Sequence, residues 1–164
     1  MIVYRLVDRS HDPIEVGSVL LRTSGYSRQK FGQGMYFCAT RKDAQIFLDA
    51  HHGYKYTDLL ECRLNGITRN DFVDLVNHPN EIVLAKRDFS YEGFAGGSLR
   101  EEYCRRTGKK GLIWRATNGW TELVLHAAHA DHVVIVIASE SLLDTPDSSL
   151  TTSADSARRE AEAI

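Results

Sequence analysis

A chain of 164 residues, 43% of them hydrophobic, is long enough to bury one core and too short for two, since domains run to about 100–200 residues. The formal charge of -2 excludes a global electrostatic pull toward nucleic acid or membrane. No apolar run approaches the roughly 20 residues of a membrane-spanning helix, and the N-terminus lacks the basic-then-apolar layout of a signal peptide. A single soluble, cytoplasmic domain over residues 1–143 is expected.

In chain order, Ile2–Val7 (IVYRLV) is a β-branched and aromatic run interrupted by Arg5, the pattern of a buried strand carrying one functional side chain. Residues 23–34 (TSGYSRQKFGQG) mix glycine, serine and basic residues without apolar periodicity and predict a loop. A strand over 35–39 follows. Thr40 is placed to cap a helix over 41–50, in which Ala44, Phe47 and Leu48 sit at helical spacing. Another strand is expected over 58–64, and residues 71–84 hold mixed short elements broken at Pro79. Ser98 is the expected N-cap of a helix over 99–107, with Glu101 as its capping-box partner and Gly108 ending it in the left-handed conformation. Strands over 111–114, 121–126 and 132–138 come in close succession, which makes the class α+β with a compact antiparallel or mixed sheet. From Asp144 the chain is rich in small polar residues and cannot bury enough surface to offset ordering entropy, so 144–164 reads as a loose tail.

Three separated cysteines, Cys38, Cys62 and Cys104, argue against a disulfide framework and a paired zinc site. Cys38 reads as a small buried hydrophobe rather than a nucleophile. His126, His129 and His132 recur every third residue, but a strand, a turn and a second strand scatter such rings, and no metal is expected. Positive charge is clustered locally, in Arg22, Arg28, Lys30, Arg41 and Lys42 and again in Arg100, Arg105, Arg106, Lys109, Lys110 and Arg115.

The most informative stretch is Phe31-Gly32-Gln33-Gly34-Met35-Tyr36-Phe37, followed by Lys42-Asp43-Ala44. Two glycines let the backbone turn tightly and approach a ligand, and the aromatic pair offers one ring to the core and one to a pocket. FGQGMYF followed by KDAQIF resembles the poly-ADP-ribose-polymerase pattern within the ADP-ribosyltransferase superfamily. The N-terminal VYRL resembles that fold's first strand, and Trp120-Thr121-Glu122-Leu123-Val124-Leu125 is similar to its catalytic-glutamate strand. The resemblance spans roughly residues 2–138.

The resemblance implies two small packed antiparallel or mixed sheets with a few short helices around an NAD cleft. It implies NAD as co-substrate, no metal, and Glu122 as the catalytic carboxylate. Tyr36 takes the place of the tyrosine that stacks on nicotinamide. Arg5 stands where the polymerase branch has histidine and many bacterial toxins have arginine, which favours mono-ADP-ribosylation over chain elongation. Leu6 replaces a small residue often found beside it. Gly34 and Phe37 complete the implied NAD contacts, with Tyr26 and Arg28 as secondary contacts from the loop. The chemistry wants these types, because cleaving ribose from its base passes through an oxocarbenium-like state that a carboxylate stabilises.

In arginine-targeting relatives the residue two before the glutamate is Glu or Gln, and Trp120 here argues against an arginine acceptor. An aromatic at that position can stack on a base, so nucleic acid stands beside protein as an acceptor class. For a chain this small the resemblance implies a bacterial or phage toxin or a phage-defence effector, with a neutralising antitoxin as a further partner and no membrane association. An NAD glycohydrolase of related fold and a non-catalytic NAD- or ADP-ribose-binding module are the alternatives.

Overall fold

The computed structural model describes residues 1–10, 14–20, 31–51, 55–82 and 96–143. The expectations for 144–164, and those for Tyr26, Arg28 and most of the loop, lie outside the described residues.

The described residues include seven strands, three α-helices and a 3-10 turn at Arg69–Asp71: β1 (Ile2–Val7), β2 (Gly34–Cys38), α1 (Arg41–Ala50), β3 (Asp58–Leu64), β4 (Phe72–Asp74), α2 (Gly96–Thr107), β5 (Gly111–Arg115), β6 (Thr121–His126), α3 (Ala127–Ala130) and β7 (Val134–Ser141). One sheet runs β4-β5-β6-β2-β1-β3-β7. All neighbours are antiparallel except β4 and β5, which are parallel. The class is α+β, as the spacing of short strands predicts.

The expected two sheets are two halves of this one sheet. Five consecutive residue pairs join β2 to β6 and six join β1 to β3, whereas β1 and β2 meet only at Tyr4↔Cys38. The halves β4-β5-β6-β2 and β1-β3-β7 nevertheless share a core, built from Val3, Phe37, Leu60, Ile113, Leu123, Leu125, Val134 and Val136. Fully burying such a side chain contributes about 1.5–3 kcal/mol relative to leaving it exposed. Strand alternation puts all eight on one sheet face.

The opposite face carries the two longer helices. Thr40 caps α1 as expected, its Oγ1 accepting from the Asp43 amide at 3.1 Å, and Ala44 packs against Cys38 and Leu59 with Phe47, Tyr4 and Leu6 around them. Further along the sheet, Tyr103 and Cys104 of α2 pack on Leu112, Val124, Trp114 and Val73.

Three sequence expectations change here. Helix α2 begins at Gly96, so Ser98 lies inside it rather than at its N-cap. Glu101 is no capping partner either, because its carboxylate accepts a hydrogen bond from the Gln33 backbone amide. A tertiary acceptor role has outcompeted the local one. Gly108 does end the helix with φ 70°. Strand β7 is displaced toward the C-terminus because His132 adopts a positive φ of 61°, which cannot continue a strand. No helix among the described residues is long and apolar enough to cross a membrane.

Candidate active site

One cross-strand row gathers two carboxylates, two aromatic rings and a thiol. Glu61 pairs with Tyr4, Tyr4 with Cys38, Cys38 with Glu122, and Glu122 with Trp114. Directly paired residues point to the same face, so all five lie on the helix-bearing side, and Tyr36, two residues before Cys38, joins them. The α1 cluster ends at Cys38, and the α2 cluster takes in Trp114 with Tyr36 packed against it. Glu122, the partner of both Cys38 and Trp114, stands at the seam between the two helix-covered clusters. It is half-buried.

Around this seam the aromatic geometry is fixed. The Tyr36 hydroxyl donates to the Gly32 carbonyl at 2.6 Å, and its ring meets Trp114 edge-on with centroids 5.9 Å apart. Burial pushes the Tyr36 phenol up to about 12, with the nearby Glu122 charge adding to the shift. Phe31 lies flat on Trp114 at 3.9 Å and 18°, and the Arg100 guanidinium carbon sits 4.9 Å from the Phe31 centroid on α2's side. Cation and stacked rings of this kind attract through the ring quadrupole.

The loop preceding β2 is clamped from two sides. The imidazole Nε2 of His126 lies 2.9 Å from the Phe31 carbonyl, while Glu101 holds the Gln33 amide. Gly32 has φ 101°, and a Cβ there would come within 2.6 Å of Glu101 Cγ and 2.8 Å of His126 Nε2. Both conformation and space demand glycine. A cleft of about 390 Å³ opens between α2 and α3 beside this clamp, lined by Gln33, Glu101, His126 and His129 among others. Neither Tyr36 nor Glu122 lines it.

His126 carries a pH prediction. Desolvation holds its imidazole below the ordinary value, against the opposing influence of the Phe31 carbonyl and of Glu101. The unfolded chain therefore binds the proton more readily than the folded one, and stability falls as pH drops through the ordinary histidine value of about 6.5. Thermal unfolding between pH 7.5 and pH 5 is expected to show a falling Tm for wild type and a flatter line for His126→Gln, which keeps a donor near the carbonyl without a titrating ring. Parallel lines for the two proteins would assign the slope to other groups.

The residues implied to contact NAD divide between faces. Leu6 shares the face of Tyr36 and Glu122 and packs toward α1. Arg5 points the other way, as alternation with Val3 and Val7 requires, and its guanidinium carbon lies 5.9 Å from the Phe37 centroid. Phe37 is 2% exposed, so its ring belongs to the core and offers no surface to a ligand. Gly34 is also buried. Its role is packing, since a Cβ there would lie 2.2 Å from the Leu125 carbonyl oxygen. Of the two rings, only Tyr36 faces the seam.

Trp120 corrects a second reading. It is 7% exposed, packed edge-on against Phe47 at 5.5 Å and His51 at 5.6 Å, and so cannot stack on the base of an acceptor. The burial follows from α1, whose last turn covers the start of β6. The second basic cluster is also locally engaged. Arg105 and Arg106 both bond Glu102, Lys109 bonds the Asn70 carbonyl at 2.6 Å, and Lys110 pairs with Asp71 at 3.0 Å. Cys38 is the buried small residue expected of it, its thiol pushed up to about 12 by desolvation first and by Glu122 and Asp43 after it.

Sequence reasoning missed Asp43, Trp114, Phe31, Arg100 and Glu101 as parts of this neighbourhood. Phe31 and Asp43 stood inside the quoted motifs, and Trp114 ends a strand otherwise made of small or aliphatic residues. The others are placed by contacts that only the tertiary structure makes.

The fold and site thus define an α+β protein with a carboxylate and a tyrosine on one sheet face between two helices. No family model matches the chain, and no curated protein matches it. Among solved structures it is similar to a chain of the M. tuberculosis MbcT-MbcA toxin-antitoxin complex, with a TM-score of 0.51 and 13% sequence identity over 86% of this chain and 83% of that one. That likeness shows a shared fold.

Proposed function

We propose that this chain is a mono-ADP-ribosyltransferase that cleaves the nicotinamide-ribose bond of NAD, with Glu122 as catalytic carboxylate and Tyr36 as the ring against which nicotinamide rests. The observation that supports it most is the placement of Glu122 and Tyr36 on the same face, at the seam between the α1 and α2 clusters. Cleavage sends the bonding electron pair to the nicotinamide nitrogen and leaves positive charge on the ribose. Glu122 stabilises that charge and accepts from a ribose hydroxyl, which orients the sugar. A new bond then forms from the ribose carbon to an acceptor heteroatom, whose proton passes to Glu122 or to water. Tyr36, tethered through its hydroxyl to Gly32, presents its ring in one orientation.

In this reading the protein acts in the cytoplasm on a nucleic-acid or protein acceptor, as a toxin or defence effector restrained by an antitoxin. Its likeness in fold to a chain of a toxin-antitoxin complex supports that setting. Water as the acceptor is the second reading. The burial of Trp120 favours it, because it removes the ring that would stack on a nucleic-acid base.

Incubating the protein with NAD labelled in its adenylate half, with and without cell extract, separates these readings. Glutamate-dependent label in the protein or nucleic-acid fraction supports transfer and names the acceptor class. Free labelled ADP-ribose under both conditions supports the glycohydrolase.

A further inference from the structure

The start of α1 and the start of β6 are fastened together one residue before Glu122. Asp43 Oδ1 accepts from the Thr121 backbone amide at 2.8 Å, across 78 residues of sequence. The Thr121 carbonyl accepts from the Ala39 amide at 2.9 Å. Thr121 therefore has its amide and its carbonyl both held by the turn that opens α1. The second carboxylate oxygen of Asp43 accepts from the Thr40 hydroxyl at 2.6 Å, while the Asp43 amide donates back to Thr40 Oγ1 at 3.1 Å. The carboxylate is thus orientated from both sides. A neutral serine or alanine at position 43 would still suit the helix, but neither reaches Thr121 while bonding Thr40.

We infer that Asp43 is a positioning residue for Glu122, holding the β6 backbone so that the glutamate side chain leaves the sheet at the seam between α1 and α2. The inference rests on the NAD-cleaving role of Glu122 proposed above. Asp43 has its two oxygens committed to Thr121 and Thr40, so it acts through the backbone and not on the reacting atoms. Charge-assisted bonds from a backbone amide to a carboxylate are the stronger kind, and displacing a reacting group by about 1 Å costs up to about 100-fold in rate.

The test measures kcat and KM for nicotinamide release, Tm, and hydrogen exchange at the Thr121 amide, in wild type, Asp43→Ala, Asp43→Asn and Thr40→Ala. Asp43→Ala is expected to lower kcat by about 10- to 100-fold with little change in KM for NAD, and to speed exchange at Thr121. Asp43→Asn is expected to retain most of the rate, because its amide oxygen can accept from Thr121 while its NH2 donates to Thr40 Oγ1. Thr40→Ala removes the helix cap and one of the two bonds that orient the Asp43 carboxylate, costs about 1 kcal/mol of stability, and should lower kcat less than Asp43→Ala does, because Asp43 can still accept from the Thr121 amide. A wild-type kcat in Asp43→Ala overturns the inference, as does an Asp43→Asn variant or a Thr40→Ala variant as slow as Asp43→Ala. Exchange at Thr121 distinguishes this failure from failure of the NAD reading. Unchanged protection in Asp43→Ala overturns the tether itself, whereas lost protection in a protein whose wild type releases no nicotinamide overturns the catalytic role of Glu122 and leaves the tether standing.

Discussion

Glu122→Gln is expected to lower kcat for nicotinamide release by about 100- to 1,000-fold while leaving KM for NAD and the folded structure nearly unchanged. The magnitude is that of removing one preorganised electrostatic stabiliser from a site. Glutamine preserves the size and hydrogen-bonding reach of the side chain but not its charge. It can hold a ribose hydroxyl in the ground state and cannot offset the positive charge that develops as the base departs, so kcat falls and binding does not. The half-buried position at the seam makes the loss of charge count for more than it would on an exposed strand, because fields are less screened there. Steady-state kinetics with a matched Tm measurement checks both halves of the expectation.

Gly34→Ala carries the largest expected effect on stability. A Cβ at this position would meet the Leu125 carbonyl oxygen at 2.2 Å and the His126 Cα at 2.9 Å, and both are backbone atoms of the paired strand, where Gly34 faces His126. No rotamer change relieves such a contact. The strands must separate, at a cost of about 3 kcal/mol, which lowers Tm by roughly 10 °C for a chain of this size. Because β2 carries Tyr36 and β6 carries Glu122, activity should fall further than the loss of folded protein accounts for. Gly66→Ala is the control. Its φ is 66° but nothing lies within 4 Å of the added methyl, so only backbone strain of about 1 kcal/mol is expected. Equal Tm values for the two variants would contradict the packing account of Gly34.

What could be read from the sequence was local or periodic. Thr40 announces α1 through a cap whose donor lies three residues on, and Thr121–His126 emerges as β6 with the predicted bounds. Alternation along Ile2–Val7 would also have placed Arg5 with Val3 and Val7, away from Tyr36, had the strand been read for faces as well as for its motif. What escaped was set by register between distant strands. Pairing of β2 with β6 and of β6 with β5 brings Cys38, Glu122 and Trp114 into one row, and nothing in any one segment specifies that alignment. Glu101 and Trp120 show the same limit in single residues. One looked like a capping acid and the other like an exposed stacking ring, until a loop amide and the last turn of α1 claimed them.

The central claim is tested most directly by measuring nicotinamide release from NAD by purified wild type and by Glu122→Gln, both shown to be folded. The account predicts release by wild type and its near-complete loss in the variant. Equal release by the two proteins, or none by either in the presence of cell extract, would contradict it.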